Sequence, residues 1–228
     1  MKDPILITGC ARSGTSVIAG IVNLCGAFGG DISNPRMYEN IRIKNEVIIP
    51  YLKLLGVDEL GQYPLPDIQK LERFNDLKDK VKQIIIEQGY KKGNWMVKDS
   101  IMGLIWAIWN EAFPNAKWVI VRRRTGDIIN SCVKTGFMKA FKDIKKQECI
   151  GVSNEQEGWL WWIHQHEKRF TEMISSGLNC KVIWPERLVN GDYEQMKETI
   201  DWLRLKWNPE SVNFVDTKLW RSKQKGDK

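Results

Sequence analysis

Residues 116–122, AKWVIVR, are the segment that most restricts the fold of this chain. Residues 118–121 are apolar, without the apolar–polar alternation of a half-exposed strand, and include β-branched valine and isoleucine. Strands of this kind are buried on both faces, an arrangement found in parallel sheets that carry helices on both sides. The segment therefore predicts an α/β fold with a parallel sheet.

Further apolar segments alternate with helical patterns along the chain. Strands are expected within residues 3–9, 94–100 and 180–188, and helices at 15–27, 39–55, 67–89, 101–113, from Thr125, at 154–176 and at 192–205. This alternation predicts a P-loop-like parallel β-sheet flanked by helices, with right-handed crossovers. We expect a single domain over residues 1–217, followed by a basic and mobile tail at 218–228.

Where the first predicted strand ends, residues 9–16 read GCARSGTS. Gly9 and Gly14 permit a tight turn, and the backbone N–H groups of residues 12–16 are expected to point inward at a helix start, where the helix dipole favours an anion. Further donors come from the side chains of Arg12, Ser13, Thr15 and Ser16. The pattern predicts a phosphate-binding loop, although turns of this composition also occur before helices without a ligand.

The loop lacks the lysine that P-loop nucleotide hydrolases carry directly after the second glycine, because that position is Thr15. A magnesium-dependent phosphoryl enzyme also needs an acidic ligand at the end of a neighbouring strand. Asp99, in MVKDS, is the candidate, and the charge of Lys98 beside it competes with a metal ion. The sequence therefore favours an anion held without a metal, and a nucleotide or small-molecule kinase is an alternative.

A basic cluster follows the strand at 116–122, formed by Arg122, Arg123 and Arg124. A helix is expected to begin here, with Thr125 at the N-cap and Asp127 in the first turn. Ser131 lies one helical turn beyond Asp127, so its hydroxyl is able to face the loop that carries Arg123. Together Arg123 and Ser131 are candidates for a second phosphate site at the same edge of the sheet. A solvated basic cluster is the alternative interpretation.

Composition limits the class of protein. The net charge of +7 over 228 residues is compatible with an anionic small ligand, and also with a nucleic-acid-binding protein without catalysis, although no aromatic–basic recognition motif is present. No apolar run reaches the roughly 20 residues that span a bilayer, and a cytoplasmic protein is expected. The five cysteines are odd in number and widely spaced, which predicts buried reduced thiols and no metal site.

In combination, these segments resemble the sulfotransferase superfamily, whose members use 3′-phosphoadenosine-5′-phosphosulfate (PAPS). The similarity is closest to the branch of tyrosylprotein and bacterial small-molecule sulfotransferases. ARSGTS is similar to its 5′-phosphosulfate loop, VKDS to its lysine–aspartate pair, and Arg123 with Ser131 to its 3′-phosphate site. NPRMYEN, FPNAKWVIVRR and VIWPERLV are similar to further segments, all in order within residues 4–205. The sequence differs from the family pattern at two positions: Ser100 stands where the family usually has proline, and Trp184 stands where tyrosine is common. The tail also lacks the glycine-rich closing motif of the cytosolic branch.

The resemblance implies transfer of a sulfuryl group from PAPS to an acceptor hydroxyl, with 3′,5′-adenosine diphosphate (3′,5′-ADP) as product and no metal. Binding of the nucleotide is then expected from Arg12, Ser13, Gly14, Thr15, Ser16, Arg123 and Ser131. Arg12 and Lys98 are expected to stabilise the charge that develops on the oxygen bridging sulfur and the departing phosphate.

The acceptor hydroxyl needs a general base, and the resemblance favours Glu39, because that branch has its base carboxylate after the first helix. Rivals are Asp99, His164 and His166, and a glutamate that serves only the helix dipole is the alternative for Glu39. Helices 39–89 and the loop 137–153 are expected to form the walls of the acceptor site. The acceptor class and the oligomeric state stay open, and a relative that binds the nucleotide without catalysis is a further alternative.

Overall fold

The computed structural model describes residues 1–32, 37–217 and 220. Within them one sheet is built from four parallel strands: β1 (Ile5–Gly9), β2 (Met96–Lys98), β3 (Lys117–Val121) and β4 (Cys180–Ile183). Their spatial order is β2-β1-β3-β4. A parallel sheet flanked by helices confirms the predicted fold class. The predicted tail, 218–228, lies outside the described residues except for Trp220.

The register of the strands brings their carboxyl ends to one edge of the sheet. Ile7 of β1 pairs with Lys98 of β2, and Gly9 of β1 pairs with Val121 of β3. The segments after β1, β2 and β3 therefore start side by side, as the parallel topology predicts. These are the glycine-framed loop, the Lys98-Asp99 pair and the arginine cluster.

The sheet is covered on both faces because successive side chains of a strand point in opposite directions. Trp118 and Ile120 of β3 belong to one buried apolar cluster, and Val119 and Val121 belong to another on the opposite face. All four side chains are fully buried, which confirms the prediction for AKWVIVR.

The α-helices of the described residues have the following bounds: α1 (Thr15–Leu24), α2 (Ile41–Ile43), α3 (Ile49–Leu54), α4 (Leu77–Glu87), α5 (Trp106–Ala112), α6 (Thr125–Thr135), α7 (Ile144–Ile150), α8 (Glu155–Ser175), α9 (Glu186–Val189), α10 (Glu194–Trp202) and α11 (Ser211–Phe214). Short 3₁₀ helices cover Ile68–Lys70, Ile101–Ile105 and Phe137–Lys142. A π-helical turn, Lys44–Ile48, joins α2 to α3. None of the described helices is both long and apolar enough to cross a membrane.

Three predicted elements differ from the structure. The helix expected over 67–89 is interrupted at 71–76. The Tyr51 hydroxyl donates to the Glu72 carbonyl, and the Tyr51 ring stacks on Phe74. These two contacts hold the segment in a non-helical conformation. The expected loop 137–153 is largely helical. Thr125 is the first residue of α6 and not its N-cap, which is Arg124.

The tryptophans of α8 and the cysteines differ in how far they are buried. Trp159 and Trp162 of α8 are fully buried beneath the segment after β1, together with Cys10 and Cys132, so the tryptophan-rich helix face packs in the core. All five cysteines are free, but Cys180 is partly exposed and Cys149 is exposed, so the expectation of buried thiols is wrong for Cys149 and is met only in part at Cys180. Cys149 lies at the surface because α7 has no buried face of its own.

Candidate functional site

The loop between β1 and α1 forms a tight turn at the edge of the sheet. The Ser13 amide donates to the Cys10 carbonyl at 3.0 Å, while Arg12 and Gly14 adopt positive φ angles of 68° and 98°. Gly9 lies so close to β3 that an added Cβ would stand 2.4 Å from the Val121 carbonyl oxygen. The first amides of α1 follow directly, and the first amides of a helix have no acceptor within that helix. The loop therefore presents N–H groups at a helix N-terminus, as an anion site requires.

The arginine cluster and the loop meet through Arg12. Its Nε donates to the Ser131 hydroxyl at 3.0 Å, and its backbone carbonyl accepts a 2.8 Å hydrogen bond from Nη1 of Arg123. Arg123 is only 8% exposed, and burial lowers the pKa of its guanidinium. Arg123 and Ser131 thus contact Arg12 from two sides. The structure therefore brings together the residues named for the two predicted phosphate sites.

A cavity of about 330 Å³ opens beside this contact. Its lining combines basic, hydroxyl and aromatic groups: Arg12, Gly14, Thr15, Ser16, Val17, Tyr38, Arg123, Val189, Phe214, Val215, Asp216 and Trp220. The volume is at the lower end of the range for small-molecule sites. Two arginines and a helix N-terminus suit a ligand with anionic groups, and the aromatic rings suit a planar base.

Trp220 covers one side of the cavity. Its ring centroid lies 3.9 Å from Cζ of Arg123, a close cation–π contact. A Cβ added to Gly14 would stand 3.2 Å from Cζ3 of Trp220 and 3.0 Å from Cγ of Pro185. Both loop positions therefore require glycine. Gly9 approaches β3 too closely for a side chain, and Gly14 has a positive φ angle and lies close to Trp220 and Pro185.

The hydroxyl groups of two other predicted donors, Ser16 and Ser13, differ in their contacts. The Ser16 hydroxyl donates to the Met37 carbonyl at 3.2 Å, which ties the start of α1 to the segment that leads into Glu39. The Ser13 hydroxyl is buried next to Gly9, outside the cavity lining, and makes no hydrogen bond within the described residues. Thr15 and Ser16 do line the cavity.

Glu39 and Lys98 form part of a buried ion cluster, defined here as Glu39, Lys44, Lys98 and Asp99. Lys98 Nζ lies 2.9 Å from Glu39 Oε1, and Lys44 Nζ lies 2.8 Å from Glu39 Oε2. Lys44 Nζ is also 3.9 Å from Asp99 Oδ2. Burial raises the pKa of Glu39, but the two ammonium groups outweigh it and leave the pKa below its ordinary value. Glu39 is therefore ionised at neutral pH.

Comparison of the structure with solved structures finds sulfotransferases. The sulfotransferase domain from the curacin biosynthetic pathway matches with a TM-score of 0.60 at 14% identity, over 95% of this chain and 78% of that domain. Sulfotransferase STF9 from Mycobacterium avium matches with a TM-score of 0.59 at 12% identity, over 98% and 69% of the two chains. The sulfotransferase domain of the Synechococcus PCC 7002 olefin synthase matches at 0.56 and 15% identity, over 95% and 79%.

This chain has the sulfotransferase fold. The resemblance inferred from the sequence is confirmed at the level of the fold, while the branch within the superfamily stays a prediction. No protein-family model and no curated protein sequence matches the chain.

The other candidates for the general base, Asp99, His164 and His166, differ in their burial and hydrogen bonds. Asp99 is in the ion cluster, but its Oδ1 accepts from the Ile101 amide at 2.7 Å, and burial together with the charge of Glu39 raises its pKa. His166 is fully buried, its Nδ1–H donates to the Trp162 carbonyl at 3.0 Å, and burial lowers its pKa to about 4. His164 is exposed on α8. Glu39 is thus the carboxylate in direct contact with Lys98, and its side chain is 10% exposed against 3% for Asp99.

The sequence interpretation missed Tyr38, Lys44 and Trp220. Lys44 is five residues after Glu39, a spacing that does not bring side chains together within a regular α-helix, but Glu39 lies outside the helix, before the N-cap Asn40 of α2. Trp220 falls in the segment predicted to be a mobile tail. An aromatic residue within that basic segment was the one available signal.

Proposed function

We propose that this chain is a sulfotransferase that moves the sulfuryl group of PAPS to an acceptor hydroxyl and leaves 3′,5′-ADP. The observation that carries the proposal is the contact of Arg12 with Arg123 at one cavity, beside the N-terminus of α1. PAPS bears anionic groups at its 3′ and 5′ positions, which match two guanidinium groups and a helix N-terminus. A cytoplasmic location and independence of metal ions belong to the same proposal.

Within this proposal, the residues predicted from the sequence to bind the nucleotide have the following roles. Thr15, Ser16 and the first amides of α1 bind the 5′-phosphate, and Gly14 and Ser13 shape the turn that presents them. Arg123 and Ser131 bind the 3′-phosphate, and the Ser131 hydroxyl also accepts a hydrogen bond from Arg12 Nε. Selection of a 3′-phosphate distinguishes the nucleotide from ATP.

Transfer itself requires charge stabilisation and a base. Sulfuryl transfer resembles phosphoryl transfer, in which positioning and electrostatic stabilisation account for most of the catalysis. Arg12 and Lys98 stabilise the oxygen that bridges sulfur and phosphate, and PAPS supplies the sulfuryl group. Glu39, ionised at neutral pH, accepts the proton of the acceptor hydroxyl.

Thermal unfolding in the presence of nucleotides tests the proposal. At a hundredfold excess over Kd, a ligand that binds the folded state adds ~2.7 kcal/mol, which raises Tm by roughly 5–11 °C for a chain of this size. We expect this shift with 3′,5′-ADP, independent of magnesium, and little shift with ADP or ATP. A shift only with ATP and magnesium would favour a kinase. No shift with any of these nucleotides would refute nucleotide binding at this cavity.

A pair of arginine variants locates the binding. Arg123→Met should remove the shift with 3′,5′-ADP, because it deletes the buried guanidinium at the cavity. Arg124→Met is the matched control, since Arg124 is exposed and does not line the cavity. Equal losses in both variants would indicate non-specific attraction to a basic surface.

A further inference from the structure

Lys44 occupies a position that the proposed reaction leaves unexplained. It opens the π turn Lys44–Ile48 between α2 and α3, a rare geometry that often marks functional sites. Its ammonium lies 2.8 Å from Glu39 Oε2 and 3.9 Å from Asp99 Oδ2. Its side chain is 23% exposed, against 3% for Lys98, so Lys44 is the more accessible cation of the cluster.

The two oxygens of Glu39 are held by two different lysines. Lys98 contacts Oε1 at 2.9 Å and Lys44 contacts Oε2 at 2.8 Å. The proposed reaction requires Lys98 to face the 5′-phosphosulfate and Glu39 Oε1 to face the acceptor. Glu39 and the nucleotide therefore compete for the same ammonium group.

The cost of that competition depends on Lys44. Turning Lys98 towards the nucleotide takes one cation away from a carboxylate in a largely buried site, which is unfavourable. Lys44 on the other oxygen stays in contact with Glu39 when Lys98 moves, and so limits this cost. Asp99, 3.9 Å from Lys44 Nζ, keeps that lysine at the cluster.

We propose that Lys44 is a positioning residue that compensates the charge of Glu39 and so releases Lys98 to the nucleotide. The inference rests on the proposed function, because it takes Lys98 as a nucleotide ligand. Lys44 acts through Glu39, and none of the four residues of the ion cluster is among those that line the cavity of about 330 Å³. Its effect on nucleotide affinity must therefore disappear when Glu39 carries no charge.

Four variants test whether Lys44 acts through Glu39, and the quantity measured is the Kd of 3′,5′-ADP. This product still carries the 5′-phosphate oxygen that Lys98 is proposed to contact. Isothermal titration calorimetry should show about tenfold weaker binding for Lys44→Met, within the roughly 2- to 150-fold range of couplings between contacting residues. Glu39→Gln should bind at least as tightly as the wild type, because nothing competes for Lys98. The double variant Glu39→Gln/Lys44→Met should bind like Glu39→Gln, and Lys44→Arg should recover most of the wild-type affinity.

The matched control is Lys53→Met. Lys53 lies on α3 and pairs with Glu59 at the surface, with both side chains more than half exposed, so its loss should leave the affinity unchanged. Both variants that lack Lys44 lose the same packing, so a purely structural role would weaken them equally.

The outcomes separate the inference from the proposed function. A wild type that fails to bind 3′,5′-ADP overturns both. A wild type that binds, with Lys44→Met binding equally well, overturns the role of Lys44 alone. Equal weakening of Lys44→Met and of the double variant also overturns it, because the effect would then not pass through Glu39.

Discussion

Replacement of Trp220 by alanine is the most direct test of the cavity. The indole ring lies 3.9 Å from Cζ of the largely buried Arg123, lines the cavity and contacts the Gly14 turn. Cation–π contacts of partly desolvated groups contribute about 1–2 kcal/mol. If Trp220 completes the nucleotide site by fixing the plane of Arg123, its loss should therefore raise the Kd of 3′,5′-ADP about 5- to 30-fold.

Isothermal titration calorimetry of wild type and Trp220→Ala measures this change, and the quenching of tryptophan fluorescence by the nucleotide gives a second readout. Trp184→Ala is the matched control. Trp184 also lies over an arginine, with its centroid 5.7 Å from Cζ of Arg122, but it is 37% exposed and outside the cavity lining. The control should bind within twofold of the wild type. Unchanged or tighter binding by Trp220→Ala would refute the reasoning, because the ring would then be irrelevant to the ligand or would exclude it.

Two further predictions concern stability. Gly9→Ala should lower the free energy of unfolding by ~1–3 kcal/mol or more, because the new Cβ would stand 2.4 Å from the Val121 carbonyl oxygen and force β1 away from β3. The control is Gly126→Ala, where an added Cβ has no neighbour within 4 Å. In thermal unfolding, this control should be neutral or slightly stabilising. Equal Tm values for the two variants would contradict the close approach of the strands. Burial lowers the pKa of His166 from 6.5 to about 4. As the pH decreases, His166 is therefore protonated in the unfolded chain before it is protonated in the folded one. The free energy of unfolding should fall by up to about 3 kcal/mol between pH 6.5 and pH 4. Urea unfolding of wild type and His166→Gln at both pH values should show a smaller loss in the variant, and parallel losses would assign the pH dependence to other groups.

Part of the candidate site follows from sequence alone, because it depends on short-range geometry. The turn at residues 9–14 needs glycine where the chain approaches β3 and where φ is positive, and both requirements can be recognised in GCARSGTS. The parallel topology then brings Lys98 and Arg123 to the edge where that loop lies. The prediction of Glu39 depended on a resemblance to a family and not on its own local pattern.

The helices at residues 67–89 illustrate what local pattern does not decide. Residues 71–76 have no strong helix breaker, yet the chain leaves the helix there because Tyr51 holds it by a hydrogen bond and a stacked ring. Helical propensity differs by less than about 1 kcal/mol per residue among ordinary residues, so a few tertiary contacts are enough to override it.

The sequence by itself determined the order of strands and helices, the burial of β3 on both faces and the turn that presents amides at the start of α1. These features arise from apolar patterning and from the allowed φ and ψ angles of single residues. Tertiary structure alone decided that Lys44 would share Glu39 with Lys98 and that Trp220 would cover Arg123. The reason is physical: these contacts join residues whose side chains meet only after the chain has folded, and the energy of a buried charge depends on every group that surrounds it.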